Sequence, residues 1–342
     1  MTKLFILISI TCLIIACSSL NPEPTPTTLP TDTPTPTFTP IGNSSGLILF
    51  SRENQELEVM DIFILNIETG EEKNITQNQL KTVSYFRPRV SPDGKKILFE
   101  RSEKGYSPYF QDEIWKSELF IMNIDGTSIQ KISTSPLYRG KEDISFLITE
   151  VYADWSPSGK KIVFSSNKEI IEKMSGDLDN LQIFIMNLDT YEVTKIGTSK
   201  GSDEHPVWSP DGEKICLMSN RYGDWDLFVM DIDGKNLEQL TKSEATERFP
   251  NWSPDVKKII FHTDIDGNLE LYTLNLNSKI ITRLTNNPAR DNTASWSPDG
   301  QWILFVSDRD GDDEIYLMNI KSKEIQQLTN NQVVDGVPDW IP

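Results

Sequence analysis

Few of the side chains on which catalytic sites are usually built occur in this chain. Among its 342 residues there are two histidines, His205 and His262, and three cysteines, of which only Cys216 lies beyond the first 17 positions. A zinc site or a nucleophile–base pair needs several such groups close together. The net charge of −18 also argues against nucleic-acid binding, which depends on clustered lysines and arginines. The residue types therefore favour a protein that is not an enzyme, and they predict no cofactor.

Carboxylates, in contrast, recur at regular intervals. A repeated motif places a proline at positions 92, 157, 210, 254, 298 and 342. Seven residues before this anchor proline stand, in order, Tyr85, Glu150, Asp203, Glu247, Asp291 and Asp335. The five carboxylates could form a ring of negative charge that attracts cations or a basic partner. Alternatively, each could cap its own loop or pair with a nearby arginine such as Arg248 or Arg290.

A second set of positions varies from repeat to repeat. Two residues after the carboxylate position stand Arg87, Tyr152, His205, Phe249, Thr293 and Val337. Variation inside an otherwise regular repeat favours recognition, because a scaffold needs the same side chain each time. The candidate binding residues drawn from both sets are Arg87, Glu150, Tyr152, Asp203, His205, Glu247, Phe249, Asp291 and Asp335.

Two further segments resemble calcium-binding loops. Asp264–Glu270 reads DIDGNLE, and Asp308–Glu314 reads DRDGDDE. Both lack the full twelve-residue pattern with its distant bidentate glutamate, and an Asp-Gly hairpin turn explains them equally well. Calcium at these loops stays open as the alternative to a protein without a cofactor.

The elements that position these residues come from an internal repeat. The sequence Trp-Ser-Pro-Asp-Gly occurs at Trp208–Gly212 and Trp296–Gly300, with variants elsewhere, and successive anchor prolines lie 65, 53, 44, 44 and 44 residues apart. Each unit contains four short apolar stretches, with Asp-Gly hairpin turns in between. Four antiparallel strands every 40–45 residues or so are typical of a β-propeller, with one blade per repeat. The motif tryptophans are expected to pack between blades; they are Trp155, Trp208, Trp252, Trp296 and Trp340.

The two ends of the repeat region indicate how the propeller closes. Residues 46–76 contain the second to fourth strands of a first blade, and Val337–Pro342 is a first strand with nothing after it. We therefore predict an all-β, six-bladed β-propeller, closed by pairing of the C-terminal strand with the N-terminal blade, which leaves no open sheet edge. In such a ring the carboxylate set and the variable set should gather at one mouth of the central channel.

The longer intervals carry insertions in blades two and three. About ten residues are added within Lys104–Lys116, about eleven within Ser135–Thr149, and nine within Lys168–Asn180. Irregular loops carry function more often than regular ones, so we expect these insertions to border the same mouth.

The N-terminus is typical of an exported lipoprotein. The apolar run from Leu4 to Ile15 is too short to span a bilayer but has the length of a signal-peptide core. Its end, Ile14-Ile15-Ala16-Cys17, resembles the bacterial lipobox, which implies cleavage before Cys17 and acylation of that residue. An uncleaved anchor or an ordinary signal peptide is the alternative. We predict a lipoprotein signal peptide over 1–16, a lipidated Cys with an extended, Pro/Thr-rich tether over 17–45, and the propeller over 46–342.

The WSPDG anchor, the Ile-Tyr/Phe-x-Met-Asn/Asp strand and the closing Leu-Thr together resemble the TolB-type propeller repeat. The resemblance implies a six-bladed propeller of the cell envelope. TolB carries a small α/β domain in front of its propeller and binds a peptidoglycan-associated lipoprotein. In this sequence a lipobox and a tether occupy the position of the α/β domain, so the resemblance does not predict the same partner. Similar repeats occur in front of prolyl-oligopeptidase-type hydrolases. They also occur in oligogalacturonate lyase, where they surround a metal held by several histidines; the only histidines of this chain are His205 and His262.

We therefore expect a monomeric, lipid-anchored, extracytoplasmic propeller that binds a protein or cell-wall ligand at its channel mouth. It would touch the membrane only through its N-terminal lipid and would not bind nucleic acid. The alternative is an extracellular lyase or hydrolase that acts on polysaccharide or peptide.

Overall fold

The computed structural model describes residues 46–107, 112–133, 148–168, 180–197 and 200–342. Cys17, the predicted signal peptide and the predicted tether lie outside these ranges, as do most of the insertions within 135–149 and 168–180. Across the described ranges, no helix is long and apolar enough to cross a lipid bilayer.

The described chain forms six four-stranded antiparallel sheets, which confirms the predicted six blades. From the channel outward, blade one contains β24 (Asp335–Trp340), β1 (Leu47–Asn54), β2 (Val59–Asn66) and β3 (Glu72–Asn74). Blade two contains β4 (Val83–Val90), β5 (Lys96–Ser107), β6 (Asp112–Asn123) and β7 (Gln130–Lys131). Blade three contains β8 (Glu150–Trp155), β9 (Lys161–Ser166), β10 (Gln182–Asn187) and β11 (Val193–Ile196). Blade four contains β12 (Asp203–Trp208), β13 (Lys214–Ser219), β14 (Asp226–Asp231) and β15 (Glu238–Gln239). Blade five contains β16 (Glu247–Trp252), β17 (Lys258–Thr263), β18 (Glu270–Asn275) and β19 (Ile281–Arg283). Blade six contains β20 (Asp291–Trp296), β21 (Trp302–Ser307), β22 (Glu314–Asn319) and β23 (Ile325–Gln327).

The inner strands are buried on both faces because each blade packs between two neighbours. In blade six the apolar runs Ile303–Val306 and Ile315–Met318 are both buried, whereas the outermost strand, β23, has one exposed and two half-buried residues. Continuous apolar runs, rather than strict alternation, are what such two-sided burial requires. The short outer strands limit the exposed sheet edge on each blade.

The motif tryptophans pack between blades, as predicted. Trp252 of blade five lies in one cluster with Val207, Cys216 and Leu227 of blade four, and its indole N–H donates to the carbonyl of Val207 at 3.2 Å. The five tryptophans of the motif are only 4–9% exposed. Truncating a buried residue of this size costs about 3–5 kcal/mol of unfolding free energy.

The ring closes through the C-terminal strand, also as predicted. β24 pairs with β1, and Trp340 lies opposite Ile48 while Asp339 lies opposite Leu49. The backbone N–H of Ile341 continues the ladder to the carbonyl of Leu47 at 3.0 Å. The Asp339 carboxylate accepts the backbone N–H of Val90 at 2.9 Å, which links blade one to blade two.

Strand direction separates the two faces of the disc. Each inner strand begins on one face, where the hairpins between the second and third strands also lie; we call this the mouth face. The opposite face carries the Ser-Pro-Asp-Gly turns, in which Asp93 accepts the Ser91 hydroxyl at 2.7 Å and the Lys95 N–H at 3.2 Å. These motif aspartates are therefore turn residues, remote from the mouth.

The insertion in blade two lengthens a hairpin on the mouth face. β5 and β6 are each twelve residues long, and their added ends pair as Lys104 with Trp115 and Gly105 with Ile114. The predicted position between the second and third strands of this blade is confirmed.

Candidate functional site

A ring of bulges narrows the channel just inside the mouth. Each of the six inner strands shifts its register near its start, two residues after the first residue in five of them and four residues after it in β4. The residue at the bulge has a positive φ in every case, namely Arg87 (46°), Tyr152 (55°), His205 (50°), Phe249 (53°), Thr293 (43°) and Val337 (50°). This conformation is unfavourable for non-glycine residues and most of all for β-branched ones. It recurs in all six blades whatever the side chain, so the fold imposes it and uses it to redirect one side chain per blade.

The variable set predicted from the sequence is this ring of bulge residues. Four consecutive blades place interacting side chains there, which we call the channel wall: Arg87, Tyr152, His205 and Phe249. The Arg87 guanidinium lies 4.4 Å from the centre of the Tyr152 ring. The ring centres of Tyr152 and His205 are 5.2 Å apart, and those of His205 and Phe249 are 4.4 Å apart. Blades six and one complete the ring with Thr293 and Val337, so the channel is aromatic and cationic on one side only.

The channel is narrow at this level. Two cavities of about 10 Å³ each border the wall, and His205, Arg89 and Val337 line both of them. A cavity of this size holds about one water molecule. A ligand of appreciable size would therefore contact the wall from the mouth and would not thread the channel.

Both histidines contact the Phe249 ring. His205 is 5% exposed, and its Nδ1 has no hydrogen-bond partner among the described residues. Burial, followed by the charges of Arg89 and Arg87, lowers its pKa well below the usual value. His262 lies behind Phe249 with ring centres 5.1 Å apart. Its Nδ1 accepts the Thr293 N–H at 3.3 Å, and burial lowers its pKa to about 3.

Glu100 is a site residue that the sequence analysis missed. It lies on β5, is 1% exposed, accepts Arg87 Nη1 at 2.9 Å and accepts the Tyr152 N–H at 2.6 Å. It thereby fixes the first two members of the channel wall. The sequence did contain a signal for Glu100, because it is a carboxylate in the middle of an apolar strand. Other blades have residues such as Ser165 or Val306 at the equivalent position.

The expectation that five carboxylates form an acidic mouth is corrected by their burial. Glu150, Asp203, Glu247, Asp291 and Asp335 are at most 4% exposed. Arginines bind three of them. In blades four and six the arginine lies two residues after a serine of the second strand, and in blade one the arginine occupies the position of that serine. Asp203 binds Arg221 at 2.6 Å, Asp291 binds Arg309 at 2.9 Å, and Asp335 binds Arg52 at 2.6 Å.

The arginines named from the sequence were the wrong partners. Arg248 lies over the Trp225 ring at 5.8 Å, and Arg290 pairs with Asp308 at 2.7 Å. The true partners are far away in sequence, because they lie on the second strand of the blade or just after it. Three of the five carboxylates therefore form ion pairs inside their blades, and the variable set is the candidate binding surface.

Glu247 differs from the three arginine-bound carboxylates because its blade has a different side chain at the arginine position. Ile265 of blade five stands where blade four has Arg221, and it is exposed. Glu247 accepts the Ser243 hydroxyl at 2.5 Å. Burial raises its pKa to about 7, with the nearby Asp226 carboxylate contributing in the same direction. Burial also raises the pKa of Glu150.

One grouping of potential metal ligands exists within the described residues, and it contains no histidine. It consists of Asp310, Asp312 and Glu314 in the blade-six hairpin. In the corresponding blade-five hairpin, Arg283 binds Asp266 at 2.8 Å and Glu270 at 3.1 Å. The histidine-held metal of the lyase resemblance thus has no counterpart among these residues.

The pattern Gly-x-Ser-x-Gly occurs twice in the sequence, at 42–46 (GNSSG) and at 197–201 (GTSKG). The first match ends where the described residues begin, and the second falls between β11 and β12. The nucleophile elbow of hydrolases needs a strand-to-helix turn. The second segment joins two strands, and its serine lies outside the described residues.

A protein-family model described as the TolB beta propeller domain matches residues 145–262 and 242–342. An uncharacterized protein of Agrobacterium fabrum is 29% identical over 165 residues, which is 46% of each chain. The chain thus spans less than half of this relative.

Solved structures share the fold. TolB from Acinetobacter baumannii superposes with a TM-score of 0.68 at 19% identity, covering 88% of this chain and 68% of that one. Oligogalacturonate lyase from Vibrio parahaemolyticus superposes with a TM-score of 0.53 at 15% identity, covering 82% and 74%. At these identities the likeness shows the fold alone.

Proposed function

The chain belongs to the TolB beta-propeller family, and on that premise we propose that it is a non-enzymatic, lipid-anchored, extracytoplasmic protein that binds a protein or cell-wall ligand at its channel mouth. The observation that carries this proposal is the one-sided channel wall. The bulge itself accepts Thr293 and Val337, so the fold does not require larger side chains there. Four neighbouring blades nevertheless place an arginine and three rings in contact. Tyrosine and arginine are enriched among residues that dominate binding energy.

The first two residues of the wall are also held in place, which favours binding. Arg87 is held by Glu100, and the Tyr152 backbone is held by the same carboxylate. Rigid anchors lose little conformational freedom when a ligand docks. Arg87 keeps 20% of its side chain exposed, and Phe249 is only partly buried, so both can be reached from the mouth.

The enzymatic alternative gains less support from the same residues. A catalytic histidine needs a nucleophile or a metal within hydrogen-bonding reach. His262 uses Nδ1 to accept a backbone N–H. The described metal-ligand grouping lies in the blade-six hairpin and includes neither histidine.

Affinity capture from native cell envelope tests the proposal. Wild-type protein should retain a specific protein or cell-wall fragment, and Phe249→Ala should lose at least tenfold in affinity, which corresponds to about 1.4 kcal/mol. Val337→Ala is the matched control, because it truncates a partly buried residue at the same bulge position in blade one, which contributes no member of the channel wall. Both variants are checked by melting temperature. Equal capture by wild type and Phe249→Ala would contradict the proposal, as would turnover of a glycan or peptide by the purified protein.

The lipid anchor is a separate part of the proposal and rests on the Cys17 motif. We expect Cys17→Ala to abolish incorporation of radiolabelled palmitate and to change the distribution of the protein between membrane and soluble fractions. Equal labelling of wild type and variant would refute the lipobox interpretation while leaving the binding proposal intact.

A further inference from the structure

Two buried carboxyl groups meet where blade four packs against blade five, which we call the four–five boundary. Asp226 begins β14 and Glu247 begins β16, and the two residues are 4% and 3% exposed. Their side chains lie within hydrogen-bonding distance of each other. The Glu247 N–H donates to the carbonyl of Trp225 at 2.8 Å, so the two backbones are joined at the same place. Two carboxylates this close repel each other unless one of them holds a proton.

We infer that one proton shared by Asp226 and Glu247 keeps the four–five boundary closed and thereby controls binding at the channel wall. When the proton leaves, repulsion between the two carboxylates opens the boundary and displaces Phe249 from the wall. The inference rests on the proposed function for the site that is controlled, but the opening itself can be measured without a ligand.

Three other boundaries share the backbone link but supply a charge partner. There the carbonyls of Leu181, Leu269 and Asp313 accept the N–H groups of Asp203, Asp291 and Asp335. An arginine binds each of these three carboxylates, namely Arg221, Arg309 and Arg52. The position of Asp226 is occupied by the uncharged Gln182 in blade three and by Glu270, which Arg283 binds, in blade five. The four–five boundary therefore differs in having two carboxyl groups and no arginine.

The hydrogen-bond donors that reach the pair are neutral. Gln239 Nε2 donates to Asp226 at 2.8 Å, and the Thr241 hydroxyl donates to it at 3.4 Å. The Ser243 hydroxyl donates to Glu247 at 2.5 Å. Within the described ranges, neither carboxylate has an ion-pair partner.

The charged and titratable groups on the surrounding elements do not neutralise the pair. Arginines bind the carboxylates of Asp203 on β12, Glu270 on β18 and Asp291 on β20. The other groups are Arg248 over the Trp225 ring, the buried His262 on β17, Asp264 in the blade-five hairpin, and the exposed Asp224, Lys242 and Glu244. A proton is therefore the simplest way for the pair to lose one of its two charges.

The direction of the pH effect follows from the raised pKa values. Burial, with a contribution from Asp226, raises the pKa of Glu247 to about 7, and burial also raises the pKa of Asp226. In an open boundary Glu247 would return towards its ordinary pKa of 4.5. The closed form thus binds the proton more tightly, so opening increases as the pH rises from about 4.5 to about 7 and then levels off.

The channel wall crosses this boundary. His205 belongs to blade four and Phe249 to blade five, and their ring centres are 4.4 Å apart. Phe249 lies two residues after Glu247 on the same strand, and Trp225 directly precedes Asp226. Separation of β16 from β14 would therefore move Phe249 away from His205.

A thiol inside the same boundary reports its opening. Cys216 on β13 is fully buried and packs in one cluster with Trp252, Ile259 and Phe261 of blade five. The full-length chain, purified in detergent, is alkylated with N-ethylmaleimide at pH values of about 5 and about 8, which bracket the titration. Mass spectrometry gives the rate at Cys216, and division by the rate for the urea-unfolded chain removes the pH dependence of the thiol itself. This ratio should rise at least tenfold between the two pH values, because the pKa values of about 7 and 4.5 differ by more than two pH units.

Three variants assign the effect to the pair. Glu247→Gln keeps the size of the side chain but cannot titrate, so the ratio should change by less than about twofold. Ile265→Arg, at an exposed position, supplies a cation for Glu247 and should also remove most of the rise. Glu244→Gln is the matched control, because it removes an exposed carboxylate three residues earlier and should keep the wild-type rise. Asp154 and Glu314 also have raised pKa values, of about 6 and about 7, but all three variants retain them.

Affinity capture from native envelope at the same two pH values tests the consequence for the wall. Wild-type capture should fall at least threefold at the higher pH, which requires an open boundary in at least about two-thirds of the molecules. Glu247→Gln should capture equally at both. The inference is overturned if the wild-type ratio is flat, if Glu247→Gln shows the wild-type rise, or if the boundary opens while capture stays constant. Capture of nothing at either pH would instead contradict the proposed function, and the Cys216 ratio would still decide whether the shared proton holds the boundary.

Discussion

Removing the last six residues should destabilise the entire propeller rather than fray one end. Residues 337–342 supply most of β24, the inner strand of blade one, whose partners are on β1 at the other end of the described chain. Trp340 and Ile341 are 4% and 5% exposed. Asp339 also holds blade two through the Val90 N–H. The deletion therefore opens the ring and exposes a sheet edge at the closure.

The size of the effect follows from these contacts. Loss of a buried tryptophan costs about 3–5 kcal/mol, and loss of a buried isoleucine costs about 2–5 kcal/mol. The sum, about 5–10 kcal/mol, is comparable to the whole unfolding free energy of a typical domain, about 5–15 kcal/mol. We therefore expect the deletion variant to be largely unfolded or to unfold at a much lower denaturant concentration.

Urea denaturation followed by tryptophan fluorescence measures this difference. The matched control removes Pro342 alone, which is exposed and should change the unfolding free energy by less than about 0.5 kcal/mol. A deletion variant with the midpoint of the full-length chain would refute the reasoning, because it would mean that closure by β24 contributes little to stability.

Three further predictions concern buried charges. Arg221→Met should lower the unfolding free energy by about 3–5 kcal/mol in urea denaturation, because it leaves the Asp203 carboxylate buried without its cation; a loss below about 1 kcal/mol would contradict this. Ile265→Arg should give Glu247 the partner that blade four supplies to its own carboxylate. The pKa of Glu247 in the folded state, about 7, lies above the ordinary glutamate value of 4.5. Wild-type stability therefore falls as the pH rises between these values, and the variant should lose less stability over this range in thermal melts. Glu100→Gln should lower stability by about 2 kcal/mol in urea denaturation because it removes the counter-charge of the partly buried Arg87 guanidinium; an unchanged midpoint would argue against this role of the pair.

The repeat allowed much of the fold to be predicted. The 44-residue period, the tryptophans between blades and the split first blade are all local patterns, and each follows from the burial that a propeller imposes on its inner strands. The hairpin insertion of blade two was also placed correctly, because insertion length can be counted against a regular repeat.

The arginine partners of the carboxylates could not be predicted from the repeat. Asp203 and Glu247 occupy equivalent positions, but one meets Arg221 and the other lies in a blade with Ile265 at that place. The pairing depends on a residue 18 positions away, just after the neighbouring strand, which only the fold brings close. The bulge conformation could not be predicted from the sequence either, since Arg, Tyr, His, Phe, Thr and Val share no backbone preference for positive φ.

The central claim is that ligands are recognised at the channel wall. Its most direct test is photocrosslinking in native envelope, with a crosslinking phenylalanine analogue at Phe249 and, as the control, at Ile281 on the exposed outer strand of blade five. The account predicts a specific crosslinked species from position 249 and none from position 281. Crosslinking from position 281 alone, with none from position 249, would contradict it.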